Sequence, residues 1–195
     1  MITPVALIVI GYFLGSLSCA ILYARFTQQT DPRKVGSGNP GATNILRTQG
    51  KKAAAIVLTG DIVKGMIPVL LGHALGLSSF WLGLVALAAI IGHLFPIYFG
   101  FKGGKGVATT LGVVFALSPS LGLCCLLTWA IIAALFRYSS LASLIMALCL
   151  PCYAYLLQEI ALLPSMLLVT ALIILRHRSN IHQLLLGKEP KLGKK

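Results

Sequence analysis

Long apolar runs separated by short polar segments set the pattern of this chain. The runs cover roughly Thr3–Ala24, Ala53–Leu75, Phe80–Phe99, Val107–Leu117, Leu121–Phe136, Leu141–Leu157 and Ile160–Leu175. A helix that crosses a membrane needs about 20 mostly apolar residues, with a working range of about 17–25. Most of the runs approach that length and predict membrane helices. Val107–Leu117 is the exception. About a dozen residues at 1.5 Å rise reach only ~18 Å, against a hydrocarbon core of ~30 Å. By length alone it is a short crossing, a re-entrant segment, or part of the next run continued across Pro119.

Charge decides among these. With seven crossings, the Arg25–Lys52 segment, the Lys102/Lys105 loop, Arg137 and the tail from Arg176 all fall on one side. That side then holds 15 of the 16 Lys and Arg residues, the last being Lys64 inside a run. The opposite connections, around Gly76, Pro119 and Glu159, hold none. Six crossings would move Arg137 and the tail to the other face and destroy the asymmetry. Cytoplasmic loops of membrane proteins accumulate Lys and Arg. The expectation is a single domain over residues 1–195, an all-α polytopic membrane protein. It has seven transmembrane helices, an outside N-terminus and a cytoplasmic C-terminus. The hypothesis that follows for the short fourth helix is a glycine loop sunk below the cytoplasmic surface, with the helix N-terminus pointing into a polar cavity.

Composition agrees. The chain is 57% hydrophobic and 10% charged, where a soluble domain carries about 25% charged residues. A net charge of +12 in a soluble protein would point to nucleic acid. Here cytoplasmic loops facing anionic lipid head groups explain it. The bilayer is therefore the expected partner and nucleic acid is not. The first run has no basic segment before it and no small-residue cleavage site, so it reads as a membrane helix and not as a removed leader. Cys19, Cys124, Cys125, Cys149 and Cys152 all lie in apolar runs; even Cys149-Leu150-Pro151-Cys152 lacks the setting of a redox pair and reads as packing.

Polar residues in unexpected places are the candidate chemistry. Gly100–Gly106 holds four glycines, Lys102 and Lys105, just before the short apolar run. Glycines 103, 104 and 106 permit close backbone approach, and exposed N–H groups, a helix N-terminus and lysines together favour phosphate. The same loop also reads as a tight, positively charged turn. Gly36–Asn44, with Ser37, Gly38, Asn39, Thr43 and Asn44, then Arg47, is too rich in donors and acceptors for a plain connector. Asp61 and Lys64 share one helix face within an apolar run, as a neutralised structural pair or a functional one. His93 reads as packing or as part of a site, and His73 as neither. After Arg176, the residues Ile181, Leu184 and Leu185 suit a short helix on the membrane surface, with His177 and Asn180 at its start.

Absences narrow the chemistry. The acids at 31, 61, 159 and 189 are scattered, so no carboxylate cluster for Mg²⁺ is visible, and His and Cys lack zinc spacing. No metal or cofactor is expected. The P-loop pattern fails because Phe99 and Gly106 occupy its first Gly and its Ser/Thr positions. What remains is a cationic cytoplasmic cluster suited to an anionic amphiphile, able to stabilise charge that develops in a transition state. A small transporter or channel for an anionic metabolite is the competing reading, weakened by polar features at one face only and by the lack of an evident inverted repeat.

Three segments carry a family resemblance: GSGNPGATNILR (Gly36–Arg47), GHLFPIYFGFKGGKGVAT (Gly92–Thr109) and RHRSNIHQLLLGKE (Arg176–Glu189). They resemble, in order, the three cytoplasmic motifs of the PlsY family, the acyl-phosphate:glycerol-3-phosphate acyltransferases of bacterial phospholipid synthesis. The resemblance extends over essentially the whole chain. It implies acyl transfer from acyl phosphate to the 1-hydroxyl of glycerol 3-phosphate at the cell inner membrane. The products are 1-acyl-glycerol 3-phosphate and phosphate, and an acyl-phosphate-forming enzyme is the expected supplier. It also implies that Ser37, Arg47, Lys105, His177 and Asn180 are essential or activity-linked, that Gly103, Gly104 and Gly106 bind phosphate, and that Glu189 is structural. The proton acceptor stays open between His177 and a substrate phosphate. Ser37 has no visible Ser-His-Asp setting, which favours positioning over a covalent acyl-enzyme.

Overall fold

The computed structural model describes residues 2–193. Ten α-helices follow in order: α1 (Ile2–Gly15), α2 (Cys19–Phe26), α3 (Ala42–Thr48), α4 (Lys51–Ala74), α5 (Ser79–Leu94), α6 (Val107–Leu117), α7 (Pro119–Phe136), α8 (Ser139–Leu156), α9 (Leu163–Arg176) and α10 (Arg178–Leu185). The most buried of the four long apolar helices, α5, runs through the middle of the bundle. Helices α1, α4, α6 and α9 pack directly on it, while α7 and α8 close the side between α6 and α9. Val85, Ala86, Ala89 and Ile90 of α5 meet Val113 and Val114 of α6, Met146 and Leu150 of α8, and Met166 and Val169 of α9 in one core. A smaller cluster of Ala20, Ile45, Ala53 and Val57 joins α2, α3 and α4.

Large apolar side chains also cover the outside. Val5, Ile56, Leu70, Leu127, Ile131, Leu148, Leu167 and Leu175 are exposed, on five different helices. Apolar surface on that scale marks a lipid-facing protein. Among the described residues α4, α7 and α8, and α5 with the turn that follows it, are each long and apolar enough to cross a membrane. The bent pairs α1–α2 and α9–α10 raise the number to six, and the short α6 stands apart.

Several expected runs are broken. The first divides at Ser16–Ser18, with a 45° bend between α1 and α2. A break in lipid frees backbone carbonyls that water cannot satisfy. Lys64 supplies the missing donor, its Nζ reaching Leu17 O at 2.6 Å. The same ammonium lies 2.8 Å from Asp61 Oδ1, and both residues are buried. The intramembrane pair thus holds the broken helix against α4. The third run ends as a helix at Leu94, because Pro96 pushes Phe95 out of the helical region, and a single 3₁₀ turn, Ile97–Phe99, follows. The fourth run stays separate from the fifth, since Ser118 is extended and Pro119 starts α7. The last begins with a 3₁₀ turn at Ile160–Leu162, and its helix bends by 59° into α10, where Leu185 is largely exposed.

Candidate active site

One cavity of roughly 220 Å³ opens among the loop before α3, α4, the N-terminus of α6, α7, α8 and the α9–α10 junction. Its polar wall carries Ser37, Asn39, Thr43, Asn44, Arg47, Asp61, Lys105, Gly106, His177, Asn180 and Glu189. Its apolar wall carries Leu58, Ile62, Leu111, Leu126 and Trp129. Three segments far apart in sequence therefore converge on one space lined by both cationic and apolar side chains. The glycine loop is divided: Gly100, Phe101 and Lys102 are exposed, while Gly103, Gly104 and Gly106 are buried. The polar cavity expected beside the α6 N-terminus is present, with Gly106, Val107 and Ala108 on its wall.

The loop before α3 is built around Asn44. Its side-chain amide donates to Pro32 O (3.0 Å) and Val35 O (3.1 Å), and its Oδ1 accepts the Ser37 N–H (2.9 Å). These bonds commit the Asn44 amide to shaping the loop that presents Ser37. Asp31 and Arg33 form a fork-like pair, which lowers the Asp31 carboxyl below its usual range and raises Arg33. Arg33 also donates to Phe99 O, tying this loop to the turn after α5. Ser37 Oγ accepts a long bond from Asn39 N–H, and among the described residues no hydrogen bond links Ser37 to His177. A serine nucleophile activated by that histidine is not what this geometry displays.

Within this lining, Lys105 Nζ donates to Asn180 Oδ1. Asn180 in turn donates to Glu189 Oε1 (2.8 Å), which also accepts from Ser140 (2.6 Å). Glu189 is buried, and its links to α8 and α10 give it the structural position the resemblance implies. Arg47 Nη2 donates to Pro190 O, so the last described segment is anchored across the site. Burial pushes the Lys105 ammonium below the ordinary lysine value; Glu189 opposes the shift, and Arg176 and Arg47 add to it. Thr43 and Ser139 hydroxyls lie 3.1 Å apart and join the first motif to α8.

His177 is buried, and its Nδ1 lies 2.8 Å from Ile173 O, which assigns the proton to Nδ1 and leaves Nε2 as the acceptor. Burial lowers its pKa from 6.5 to about 4, the Ile173 bond opposes this, and Lys105 and Arg176 reinforce it. A base with a depressed pKa is neutral when folded, whereas the unfolded chain takes up a proton below about 6.5. The contribution is therefore intact above that pH and declines as pH falls towards 4. In detergent, His177→Gln is expected to show a flatter fall in melting temperature from pH 6.5 to 4 than wild type; parallel curves would show that His177 does not titrate this way.

Not every expected residue reaches the cavity. Gly38, Lys102 and Gly103 line a separate neighbouring space with Arg33, Pro40, Phe101 and Arg176. Gly103 and Gly104 are packing glycines here: a Cβ on Gly103 would lie 2.0 Å from His93 O, and one on Gly104 2.3 Å from His93 Nε2. Ser139, Ser140, Trp129 and Arg176 were not singled out from sequence, although Arg176 opens the third motif and a basic residue ending a membrane helix was a usable clue. His93 joins the main cavity wall with Asp61. Among the described residues no group of three or more His, Cys, Asp or Glu side chains could hold a metal ion.

A family profile described as glycerol-3-phosphate acyltransferase matches residues 5–187. The glycerol-3-phosphate acyltransferase of Thioalkalivibrio sulfidiphilus is 54% identical, over 100% of this chain and 97% of its own length. That of Vibrio cholerae is 50% identical, over 99% and 93%. Crystal structures of PlsY (YgiH), an integral membrane glycerol 3-phosphate acyltransferase, are also similar. Its glycerol 3-phosphate form superposes with a TM-score of 0.93 at 42% identity, covering 98% of this chain and 96% of that one. Its lysophosphatidic acid form gives 0.91 at 41%, with the same coverage.

Proposed function

The chain belongs to the glycerol-3-phosphate acyltransferase family, and on that premise we infer that it moves a fatty acyl group from acyl phosphate to the 1-hydroxyl of glycerol 3-phosphate. It is an integral membrane enzyme that acylates glycerol 3-phosphate. The observation that carries the rest is the cavity whose lining joins cationic and hydrogen-bonding side chains to apolar ones.

In this reading Leu58, Ile62, Leu111, Leu126 and Trp129 receive the acyl chain, and Arg47 and Lys105 hold phosphate. Gly106, with the α6 N-terminus behind it, adds dipole to the same anion. The substrate hydroxyl oxygen attacks the acyl carbonyl carbon, an ester C–O bond forms, and the bond from that carbon to the phosphate oxygen breaks. Lys105 steadies the oxyanion between those events. The hydroxyl proton ends on the departing phosphate. A phosphate with a second pKa near 6 is the better proton acceptor than an imidazole held near 4. His177 Nε2 then serves to orient the hydroxyl, and Ser37 positions substrate.

Acyl phosphate is already activated, so the chemistry needs no nucleotide, metal or coenzyme A. The donor is tested by replacing acyl phosphate with acyl-CoA of the same chain length. No ester is expected, and wild-type rates with acyl-CoA would remove acyl phosphate as the donor.

The same reading gives seven crossings, with α6 as the short fourth, the N-terminus outside, and the site facing the cytoplasm of a bacterial inner membrane. The one-sided distribution of Lys and Arg supports it. Acyl phosphate then arrives from the inner leaflet, supplied by an acyl-phosphate-forming enzyme.

A further inference from the structure

Four glycines between Gly100 and Gly106 give this loop wide conformational freedom. Yet the lysine it carries must occupy one place to act on a reacting atom. Two residues from outside the loop restrict it, His93 through its backbone carbonyl and Arg176 through its side chain. On one side stands His93, in the last turn of α5: Gly104 N–H donates to His93 O at 3.2 Å, and Gly104 packs so close to the imidazole that a Cβ there would lie 2.3 Å from Nε2. Asp61 Oδ1 sits 3.7 Å from His93 Nδ1 on the far side of the ring. On the other side stands Arg176, the last residue of α9. Its Nε donates to Gly104 O at 3.1 Å and its Nη2 to Gly103 O at 2.8 Å. Its guanidinium also rests over the Phe95 ring, 5.4 Å from the centroid.

Arg176 is not on the wall of the main cavity, and its fork is spent on two consecutive carbonyls. The next residue is Lys105, whose ammonium meets Asn180, four residues after Arg176 and past the bend into α10. The lysine is thus held at its backbone by Arg176 and at its tip by Asn180.

We propose that Arg176 and His93 clamp the Gly103–Gly104 peptide and so fix where the Lys105 ammonium enters the cavity, which makes Arg176 a positioning residue for acyl transfer. The consequence for rate rests on the assignment of Lys105 to the reaction. A planar, two-pronged donor suits two adjacent carbonyls in a way that the single ammonium of lysine does not. A displacement of about 1 Å at a reacting group costs on the order of 10²-fold in rate.

The test uses the full chain in detergent, as Arg176→Gln and Arg176→Lys, with two readouts. Hydrogen exchange across residues 100–107 is expected to quicken by about tenfold or more in both variants. The kcat is expected to fall by roughly 10–100-fold, with the KM for glycerol 3-phosphate within about threefold of wild type. Arg176→Lys keeps the charge without the fork, so it does not restore kcat, and it is the folded variant to use if loss of charge unfolds the protein. Unchanged exchange in both variants, or full kcat in a lysine variant whose exchange is also normal, overturns the clamp. A loss confined to KM also overturns it, by making Arg176 a contact for substrate phosphate. Faster exchange with unchanged kcat leaves the clamp in place and removes Lys105 from the reaction instead.

Discussion

Lys105→Ala abolishes measurable acyl transfer, by a factor on the order of 10³ or more, while the variant keeps a cooperative melt in detergent close to that of wild type. Removing one preorganised donor from a developing oxyanion costs about 10²–10³ in kcat, and Lys105 supplies a full charge to phosphate as well. Little stability is at stake, because the ammonium is only partly buried and its departure leaves one amide oxygen, Asn180 Oδ1, beside an open cavity. Activity and folding are therefore separable at this position. A folded Lys105→Ala protein with wild-type turnover would refute the role assigned to this lysine.

Asp61→Ala has the opposite profile, with stability as the primary loss. The carboxylate is 1% exposed and lies against the Lys64 ammonium, itself 5% exposed. Removing one member of a buried pair strands the other charge, at a cost of about 3–5 kcal/mol. Lys64 cannot leave without abandoning Leu17 O at the break between α1 and α2. The expected result is a melting temperature lowered by ten degrees or so, or a failure to accumulate folded protein. Asp61→Asn keeps an acceptor and falls between the two. An alanine variant as stable as wild type would show that the pair does not hold the broken helix.

The elements that could be read from the chain are those whose causes are local. Val107–Leu117 emerges with the expected bounds because Gly106 and Pro119 punctuate it. The break at Ser16–Ser18 was hidden, since Ser-Leu-Ser within an apolar run forbids no helix. Its partner, Lys64, lies far along the chain. The two lysines of the glycine loop look alike in sequence, yet the fold puts Lys105 on the cavity wall and leaves Lys102 exposed on a neighbouring one. Asn44 and Arg176 show the same limit. Asn44 spends its amide on carbonyls of its own loop, at Pro32 and Val35, and Arg176 spends its fork on carbonyls of a distant segment, and both uses depend on how the chain folds back. The polar residues that meet at the cavity were legible because their density in a membrane protein is itself a departure from what lipid tolerates.

The most direct test of the account is phosphate release by purified protein in detergent, given acyl phosphate with and without glycerol 3-phosphate. The account predicts release only when both are present, with one ester formed for each phosphate. No release with both substrates, as a transporter would give, or release indifferent to glycerol 3-phosphate, would contradict it.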